Sequence, residues 1–464
     1  MKNRIIISIV ALILVLILAF SISACVYHNH IFSTQNSTSN NSNDITTPEG
    51  ERAPIDYSDS FYAIDYLFHN LSIFDVDYET AMLAAIRAYV EATGDEYANF
   101  YTPEEFEALT SENNGDLYGI GVQVIFDYED YFMEIILIMP DSPAQNKLEI
   151  GDKVTHILID GEKIALADVV EENKVKFAKL YPNYTEEEIN NAACYETFQY
   201  TVANLKGPEG TYAEFFVDRE GTEMQMKIQR AKVKTVSVTA KTSIRDSKVG
   251  IVSISQFDLT TPTQFKECMN QLIESGCSQF VFDLRNNPGG DLASVTAVLS
   301  TLLKEGDIIL STKDSSNKVE VTKVKTVKYA DDYATCNVTK DEIGMYSAYE
   351  MVVLVDGNSA SAAELFTAAL RDHDKADIVG VNTYGKGSVQ SIIPLDYYYG
   401  EDYHGALKLT TKLYFPPSGE GYNGIGIAPD HTVELEGIAA ETHFYKLTEE
   451  IDNQLQKAVS VLID

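Results

Sequence analysis

The spacing of apolar residues divides this chain of 464 residues into helical and strand-like stretches. Between about Ser58 and Leu109, apolar residues recur at spacings of three and four, which predicts amphipathic helices. From about Val233 onward, short apolar runs such as VGIVSIS (249–255) and QFVFDL (279–284) alternate with helical stretches. This alternation indicates a mostly parallel sheet with covering helices, and EIDNQLQKAVSVLI predicts an amphipathic closing helix.

The amino terminus carries the pattern of an export segment. Lys2 and Arg4 precede an apolar run from Ile5 to about Ile22, and a basic flank before such a run directs export. The run ends in ISAC, which resembles a bacterial lipoprotein cleavage box with Cys25 as the lipidated residue. The run is also just long enough to span a bilayer as an uncleaved anchor. Lipoprotein and signal-anchor both stay open, with a freely secreted form third, and each places the body outside the cytoplasmic membrane.

Composition agrees with an exported, soluble body on a tether. Residues 26–56 are rich in Ser, Asn and Thr without periodicity, which is typical of a flexible linker. The chain is long enough for two or three domains. Its formal net charge of -35 argues against nucleic acid and anionic lipid surfaces as partners, because such a field repels both.

Two residues suited to nucleophilic catalysis follow strand-like runs. Ser361 lies in GNSASAAELF after MVVLVD, and Lys386 lies in YGKGSVQ after ADIVGVNTYG. A hydroxyl is a poor nucleophile at neutral pH, and a lysine can take its proton only where an apolar site lowers the pKa of the ammonium. In an extended segment Lys386, Ser388 and Gln390 share one face, so Gln390 can hold the lysine amine in line.

Each fragment alone also has a purely structural explanation. SASA at a strand-to-helix junction is a common N-cap composition, and GKG is often a turn with a solvated lysine. A third fragment, FVFDLRNNPGGDLASV (280–295), adds a glycine turn between a buried strand and a helix. Such a turn exposes backbone N–H groups to an anion, and Ser361 would open a helix whose N-terminus favours a developing oxyanion.

The ordered motifs of the chain resemble those of the C-terminal processing, or tail-specific, serine peptidases. The core motifs are DLRNNPGG, GNSASAAE, YGKGSVQ, ALKLTTKLYFPPSG (406–419) and GIGIAPD (424–430). Upstream, AAIRAYVEATGDEYANFYTPEEFEAL, YGIGVQV, SPAQNKLEIGDKV and LKGPEGT resemble the N-terminal helices and PDZ domain of that family. The likeness runs from about Ser58 to the end of the chain. Several ordered motifs are far more specific than one short motif.

The resemblance implies a Ser-Lys mechanism. The nucleophile maps to Ser361, the general base to Lys386 and the supporting glutamine to Gln390. A lysine base removes the need for a histidine, and no histidine is placed for a triad. His373, the nearest one, lies in RDHDKAD and is interpreted as a solvated helix end.

The resemblance also implies an oxyanion hole. One donor is the backbone N–H of Ala362, directly after the nucleophile, and the other comes from the glycine turn, at Gly289 or Gly290. The spacing leaves open which glycine donates.

No metal or other cofactor is expected. The cysteines lack CxxC spacing and histidine partners, so a zinc site is not indicated. A disulfide between Cys268 and Cys277 stays open, although their apolar surroundings favour buried free thiols.

The segment upstream of the core resembles a PDZ domain. Its loop and first strand would receive a peptide's C-terminal carboxylate on backbone N–H groups, at Tyr118, Gly119, Ile120, Gly121 and Val122. Residues 168–198 are longer than the helix usual there, and TEEE after Tyr184 is a helix start. We therefore expect a helical insertion close to the peptide groove.

The predicted organisation is an α/β multidomain protein, with a mostly parallel α/β catalytic core, an inserted PDZ domain and N-terminal helices. The predicted segments are a signal, lipoprotein or anchor segment (1–25), a linker (26–56), a helical region (57–112), a PDZ domain (113–232) with its insertion, and a peptidase core (233–464). The N-terminal helices either cover the core or, as the resemblance implies, form a homodimer.

The predicted function is that of a membrane-tethered, extracytoplasmic serine endopeptidase that acts on protein substrates held by their C-termini. The competing hypothesis is a non-catalytic PDZ module on an inactive peptidase scaffold. The joint presence of Ser361, Lys386 and Gln390 argues against it. The sequence leaves the physiological substrate open.

Overall fold

The protein is described here by a computed structural model covering residues 57–113, 116–328, 337–400 and 404–463. The predicted signal segment with Cys25 and the predicted linker lie outside the described residues. None of the described helices is both long and apolar enough to cross a membrane. The described chain divides into two compact units, one of residues 103–390 and 411–463 and a smaller one of residues 57–102 and 391–410.

The smaller unit begins with the helices that the apolar spacing predicts. They are α1 (Ser58–Leu71) and α2 (Tyr78–Ala92), followed by strand β1 (Asn99–Tyr101). Strand β1 pairs antiparallel with residues 406–408. Helix α1 has no buried residue, and its apolar side chains remain exposed.

A strand-rich domain with two helices, the 116–234 domain, occupies the region predicted as PDZ. After helix α3 (Pro103–Asn113), its elements are β2 (Asp116–Gly119), β3 (Val122–Phe126), β4 (Met133–Ile138), β5 (Lys153–Ile159), β6 (Glu162–Ala165), α4 (Leu166–Leu180), α5 (Glu186–Leu205), β7 (Tyr212–Arg219), β8 (Thr222–Gln229) and β9 (Ala231–Lys234). Strands β3, β4, β5, β7 and β8 form an antiparallel sheet with β6 at its side, and β2 pairs with β9.

Two helix starts in this part of the chain follow the sequence signals. Helix α3 begins at Pro103, directly after Thr102. Helix α5 begins after Thr185, whose backbone N–H donates to the Glu188 carboxylate at 2.7 Å while the Thr185 hydroxyl accepts from the Glu188 N–H at 3.2 Å. This reciprocal capping satisfies two N–H groups at the helix end. Residues 168–198, predicted as a helical insertion, thus fall in the pair of helices α4 and α5 and the turn between them.

The core beyond residue 234 alternates strands and helices. Its elements are β10 (Val238–Thr242), β11 (Val249–Ile254), α6 (Thr261–Glu274), β12 (Gln279–Asp283), α7 (Leu292–Leu302), β13 (Ile308–Asp314), β14 (Val319–Lys323), β15 (Glu350–Val355), α8 (Ala362–Asp372), β16 (Ala376–Gly380), β17 (Ser388–Pro394), α9 (Leu395–Tyr399), β18 (Ala406–Phe415), β19 (His431–Thr432), α10 (Ile438–Glu441) and α11 (Asn453–Ile463). The segments Lys340–Glu342 and Phe444–Lys446 are single turns of 3-10 helix.

The central sheet has the order β10-β11-β12-β15-β16-β19. Its first pairing is antiparallel and the other four are parallel, which confirms the mostly parallel core. Successive residues of β12 face opposite sides, so Phe280 and Phe282 pack in one apolar cluster and Val281 in another. The closing helix α11 joins the second cluster through Leu455 and Val459.

The parallel arrangement brings three motifs to one edge of the sheet. The carboxyl ends of neighbouring parallel strands lie side by side, about 4.8 Å apart from strand to strand. The glycine turn follows β12, the SASA segment follows β15, and the GKG segment comes after β16. Chain segments separated by tens of residues therefore meet at this edge.

Candidate active site

Ser361 stands at the start of helix α8 in a strained backbone conformation. Its φ of 56° and ψ of -114° fall outside the common regions for a residue with a side chain. Such a conformation costs about 1–3 kcal/mol and persists only where the surrounding structure enforces it. Part of that support is the preceding residue, because the N–H of Ala360 donates to the carbonyl of Asn287 at 2.9 Å.

The glycine turn touches the serine segment directly. A Cβ on Gly289 would lie 2.7 Å from the Cβ of Ser361 and 2.8 Å from the backbone N of Ala362, so this position requires glycine. Gly289 also has a φ of 103°. Its own N–H donates to Oδ1 of Asn287 at 2.8 Å. The turn therefore lies beside the N-terminus of α8, with the Gly289 N–H directed to the Asn287 side chain.

The second glycine of the turn serves a different contact. A Cβ on Gly290 would lie 2.2 Å from the carbonyl oxygen of Phe257. The flanking residues bond the same segment, since the Phe257 N–H donates to the Gly289 carbonyl at 2.8 Å and the Asp291 N–H donates to the Phe257 carbonyl at 2.6 Å. These contacts fix the turn against the loop after β11.

Lys386 lies in the loop between β16 and β17 and is half-buried. Its backbone N–H donates to Oε2 of Glu364 at 2.7 Å, and its carbonyl accepts from the hydroxyl of Tyr414. Strand β17 begins at Ser388, two residues after Lys386. Ser388 and Gln390 do share a face, because the Gln390 amide donates to the Ser388 hydroxyl at 2.9 Å.

Glu364 is a central residue of the candidate site that the sequence reasoning missed. Its side chain is fully buried, and its carboxylate accepts four hydrogen bonds. Oε2 accepts from the backbone N–H of Ser361 at 2.9 Å and of Lys386 at 2.7 Å. Oε1 accepts from the hydroxyl of Thr383 and the N–H of Gly385, both at 2.6 Å. One oxygen thus joins the serine and lysine segments.

Burial dominates the titration of this carboxyl group. Burial raises the pKa of Glu364 above its usual value, although the bonds from Thr383, Lys386, Gly385 and Ser361 each lower it. A glutamate three residues after an N-cap serine is the spacing of a capping box, which was the available sequence signal. Nothing in the sequence near Glu364 predicts its hydrogen bonds to residues 383–386.

A second motif fastens the lysine loop from the other side. The N–H of Gly424 donates to the carbonyl of Gly385 at 2.7 Å. A Cβ on Gly385 would lie 2.9 Å from the N of Gly426, and a Cβ on Gly387 would lie 2.8 Å from the Cβ of Asn423. The GKG and GIGIAPD motifs therefore pack as one pair of turns around the lysine.

A buried ion cluster anchors the strand end that leads into the glycine turn. The guanidinium of Arg285 bonds both carboxylate oxygens of Asp283, at 3.0 and 2.7 Å, and both of Asp452, at 3.0 and 2.7 Å. It also lies 5.1 Å from the centre of the Phe444 ring. Paired and bonded on both sides, this buried charge ties β12 to the C-terminal segment.

The five residues predicted to hold a peptide C-terminus lie together in the 116–234 domain. They line a cavity of about 80 Å³. Its other walls are mainly apolar and consist of Val124, Met139, Val202, Leu205, Lys206 and Val233. The cavity runs along β3 and the end of α5. Gly121 has a φ of 79°, and a Cβ there would lie 2.3 Å from the Cβ of Ser142.

Two other predicted features can be compared with the structure. His373 caps the C-terminus of α8, as expected of a helix end. It is not fully solvated, because it is half-buried and its Nε2 lies 2.7 Å from the Ile308 carbonyl. Cys268 and Cys277 are free thiols. Among the described residues, no group of three or more His, Cys, Asp or Glu side chains could hold a metal ion.

Sequence comparison places this edge of the sheet in a known peptidase domain. The model of peptidase family S41 matches residues 248–433, which include the serine, the lysine and the glycine turn. The carboxy-terminal-processing protease of Bartonella bacilliformis is 28% identical over 347 residues, covering 73% of this chain and 67% of that protein. The carboxyl-terminal-processing protease of a Picosynechococcus strain is 27% identical over 384 residues, covering 79% and 76%.

A probable CtpA-like serine protease of Staphylococcus haemolyticus is 29% identical over 348 residues. The aligned part is 75% of this chain but only 59% of that relative's length.

Solved structures of similar proteins include two peptidases. The photosystem II D1 C-terminal processing protease has a TM-score of 0.42 and 20% identity, covering 81% of this chain and 87% of its own. A putative S41 protease from Bacteroides fragilis has a TM-score of 0.48 and 15% identity, covering 89% and 98%. Residues 248–433 of the chain thus match peptidase family S41, and the relatives named above are carboxy-terminal-processing proteases.

Proposed function

We propose that the protein is a membrane-tethered, extracytoplasmic endopeptidase in which Ser361 is the nucleophile, Lys386 the general base and Gln390 a supporting residue. One observation carries the assignment of the residues. Oε2 of Glu364 accepts from the backbone N–H groups of both Ser361 and Lys386, at 2.9 and 2.7 Å. A single buried oxygen therefore holds the two segments side by side.

The proposed reaction begins with proton transfer. The neutral amine of Lys386 takes the proton of the Ser361 hydroxyl as Oγ attacks the substrate carbonyl carbon. The protonated lysine then gives that proton to the leaving amine, and an acyl-enzyme ester remains on Ser361. Water attacks the ester with Lys386 as base again, which releases the acid product and restores the serine. Gln390 would hold the lysine amine in line, and its own amide also donates to the hydroxyl of Ser388 at 2.9 Å.

Backbone donors supply the oxyanion hole in this proposal. The Ala362 N–H lies at the first turn of α8, and the glycine turn adjoins it. Because the Gly289 N–H already donates to the side chain of buried Asn287, we assign the second donor to Gly290. Loss of one such donor typically lowers the rate by roughly 100- to 1000-fold.

Substrate selection in this proposal begins at the 116–234 domain, acting as a PDZ domain. A peptide would add to β3 as an extra strand, with its carboxylate on the N–H groups of the loop at residues 119–121. The walls of the cavity are mainly valine, leucine and methionine. We therefore expect substrates that end in an apolar residue.

A fluorophosphonate probe tests the catalytic assignment against the non-catalytic alternative. The probe should label the native protein at Ser361 alone, located by mass spectrometry of the labelled peptide. Ser361→Ala should abolish the label and Lys386→Ala should slow it. Protein unfolded by heat is the control for non-specific labelling. A native protein that the probe leaves unlabelled, while it binds peptides with free C-termini, would establish the binding-module alternative.

The proposed membrane tether rests on the export pattern at the amino terminus and is tested separately. Metabolic labelling with a fatty-acid analogue should mark the wild type and miss Cys25→Ser if ISAC is a lipoprotein cleavage box. For a signal-anchor, Cys25→Ser should leave membrane retention unchanged, and the wild type should take up no label.

A homodimer through α1 is proposed because this helix exposes an apolar surface. Tyr62, Tyr66 and Leu71 are exposed by 73%, 66% and 72%. Sedimentation equilibrium should show a dimer for the wild type and a monomer for the variant Tyr62→Asp with Tyr66→Asp. A wild type that sediments as a monomer would count against the dimer.

A further inference from the structure

An isoleucine beside the lysine loop is exposed on a turn that is unusually well fastened. Ile425 has 72% of its surface exposed, between Gly424 with a φ of 74° and Gly426 with a φ of 79°. Single exposed apolar residues are common on protein surfaces and need no explanation by themselves. Two further observations, on the rigidity and the position of the turn, set this residue apart.

Hydrogen bonds fix the turn against the loop that carries Lys386. The Asn382 amide donates to the Ile425 carbonyl at 2.8 Å, and the Gly424 N–H donates to the Gly385 carbonyl at 2.7 Å. A Cβ on Gly426 would lie 2.3 Å from the carbonyl oxygen of Thr383. Because these contacts fix the backbone of the turn, little backbone entropy is lost when a partner covers the Ile425 side chain.

The position of the turn follows from the order of the strands. Along the carboxyl edge of the sheet, the glycine turn follows β12, Ser361 follows β15, and the lysine loop comes after β16. Gly289 contacts the serine from the β12 side, and Lys386 lies on the β16 side. Ile425 precedes β19, the strand beyond β16, and so lies on the lysine side of the nucleophile.

The proposed chemistry gives each side of Ser361 a different part of the substrate. The substrate oxyanion is held at the glycine turn, on the β12 side. The leaving amine receives its proton from Lys386, on the opposite side. The nitrogen of the residue directly after the scissile bond must therefore lie on the side of the lysine loop, where Ile425 is exposed.

We propose that Ile425 contacts the side chain of the residue directly after the scissile bond and makes the enzyme favour an apolar residue there. The inference rests on the proposed function, because it takes the directions of the oxyanion and the leaving amine from that mechanism. It concerns selection at the cleavage point, and it is separate from recognition of the substrate's C-terminus by the 116–234 domain.

Two pairs of peptides test this specificity. All four peptides share one apolar C-terminus, so their binding to the 116–234 domain is the same. The two peptides of the first pair differ only in having Leu or Asp directly after the scissile bond. For the wild type, kcat/KM should be at least about tenfold higher for Leu, as expected for one apolar contact in the transition state. In Ile425→Ser that ratio should fall to about two or below. The second pair varies the residue before the scissile bond, and its ratio should not change.

A matched control and a reversed variant sharpen the test. Ile244 has 64% of its surface exposed and follows β10 at the opposite edge of the same sheet, so Ile244→Ser should keep the wild-type ratio. Ile425→Glu should shift the preference toward a peptide with Lys after the scissile bond. Labelling by a fluorophosphonate probe should be equal in wild type and both Ile425 variants, which shows that the site has folded.

The outcomes separate the inference from the proposed function. Wild type that cleaves the peptides and takes the label, with a Leu-to-Asp ratio untouched by Ile425→Ser, overturns the inference and leaves the function standing. The inference is also overturned if Ile425→Ser changes the kcat/KM ratio of the second pair of peptides, which differ in the residue before the scissile bond. Wild type that neither takes the label nor cleaves any peptide rejects the proposed function, and the inference with it.

Discussion

Glu364 and Lys386 are joined by a hydrogen bond of 2.7 Å from the lysine backbone N–H to a fully buried carboxylate. The same oxygen accepts from the N–H of Ser361 at 2.9 Å. The glutamate belongs to the helix that the serine opens, and the lysine belongs to the loop after the next strand. Their bond therefore fixes the relative position of the two segments on which the proposed reaction depends.

Replacing this carboxylate by its neutral analogue should impair turnover more than substrate binding. Glutamine has one acceptor oxygen, and its NH₂ group would face N–H donors in Glu364→Gln. We expect kcat to fall by roughly 100-fold, the cost of a misplacement of about 1 Å, with a smaller change in KM. The measurement is steady-state kinetics, with exposed Glu305→Gln as the control. A rise in KM with kcat unchanged would show instead that Glu364 acts in substrate binding.

The same substitution should change how stability depends on pH. Because burial raises the pKa of Glu364, the folded state holds the proton of this carboxyl group more tightly than the unfolded chain does. The stabilisation linked to that proton is fully present below the unfolded pKa of about 4.5 and is lost as pH rises through the folded pKa. The free energy of unfolding of wild type minus that of Glu364→Gln should therefore decrease from pH 4.5 toward pH 7.

Urea unfolding of both proteins across this range provides the measurement. Each unit of pKa difference corresponds to about 1.4 kcal/mol. Taking the difference between the two proteins cancels the other titrating groups. A difference that stays constant or increases with pH would contradict the assignment of burial as the dominant influence on this carboxyl.

The local pattern predicted the elements of the site because each depends on neighbouring residues. The runs before Ser361 and Lys386 form parallel strands β15 and β16, and α8 begins directly after the serine. A run of apolar residues that forms a buried strand, and the residues that start a helix, can each be recognised within a short stretch of sequence. The fold class followed from the alternation of these strands and helices.

The contacts that hold the site together were not predictable in this way. Glu364 bonds residues about twenty positions away, and Arg285 bonds Asp452 in the C-terminal segment. His373, half-buried at the end of α8, contacts the carbonyl of Ile308, which is distant along the chain. Buried polar groups must find partners, but the sequence alone does not identify partners that are distant along the chain.

Removing either proposed catalytic side chain should abolish peptidase activity. Ser361→Ala deletes the nucleophile and Lys386→Ala deletes its base, and both act in one chemical step. The double variant should therefore be no slower than either single variant, because effects within one step are not additive. Rates on an unstructured protein substrate give the comparison, and circular dichroism checks the fold. Continued cleavage by Ser361→Ala would contradict the assignment of the nucleophile.

Contacts between the 116–234 domain and the catalytic core suggest how peptide binding could be coupled to the reaction. Lys446 donates to the carboxylate of Glu134 in β4 at 2.7 Å. In the same 3-10 turn, the ring of Phe444 lies 5.1 Å from the guanidinium of Arg285, on the strand end that leads into the glycine turn. A shift of β4 on binding a peptide would thus be felt close to the proposed oxyanion hole.

We predict that a bound C-terminus activates the core through these contacts, so that the 116–234 domain does more than collect substrate. A peptide with a free, apolar C-terminus should stimulate cleavage of a second, unrelated substrate, and its C-terminally amidated twin should not, because only the free carboxylate can bond the loop N–H groups. Lys446→Ala should reduce the stimulation by weakening the coupling, while Lys318→Ala, which removes an exposed lysine paired within its own hairpin, should preserve it. Were both peptides merely to compete with the second substrate, the domain would be a passive docking site and the coupling would be rejected.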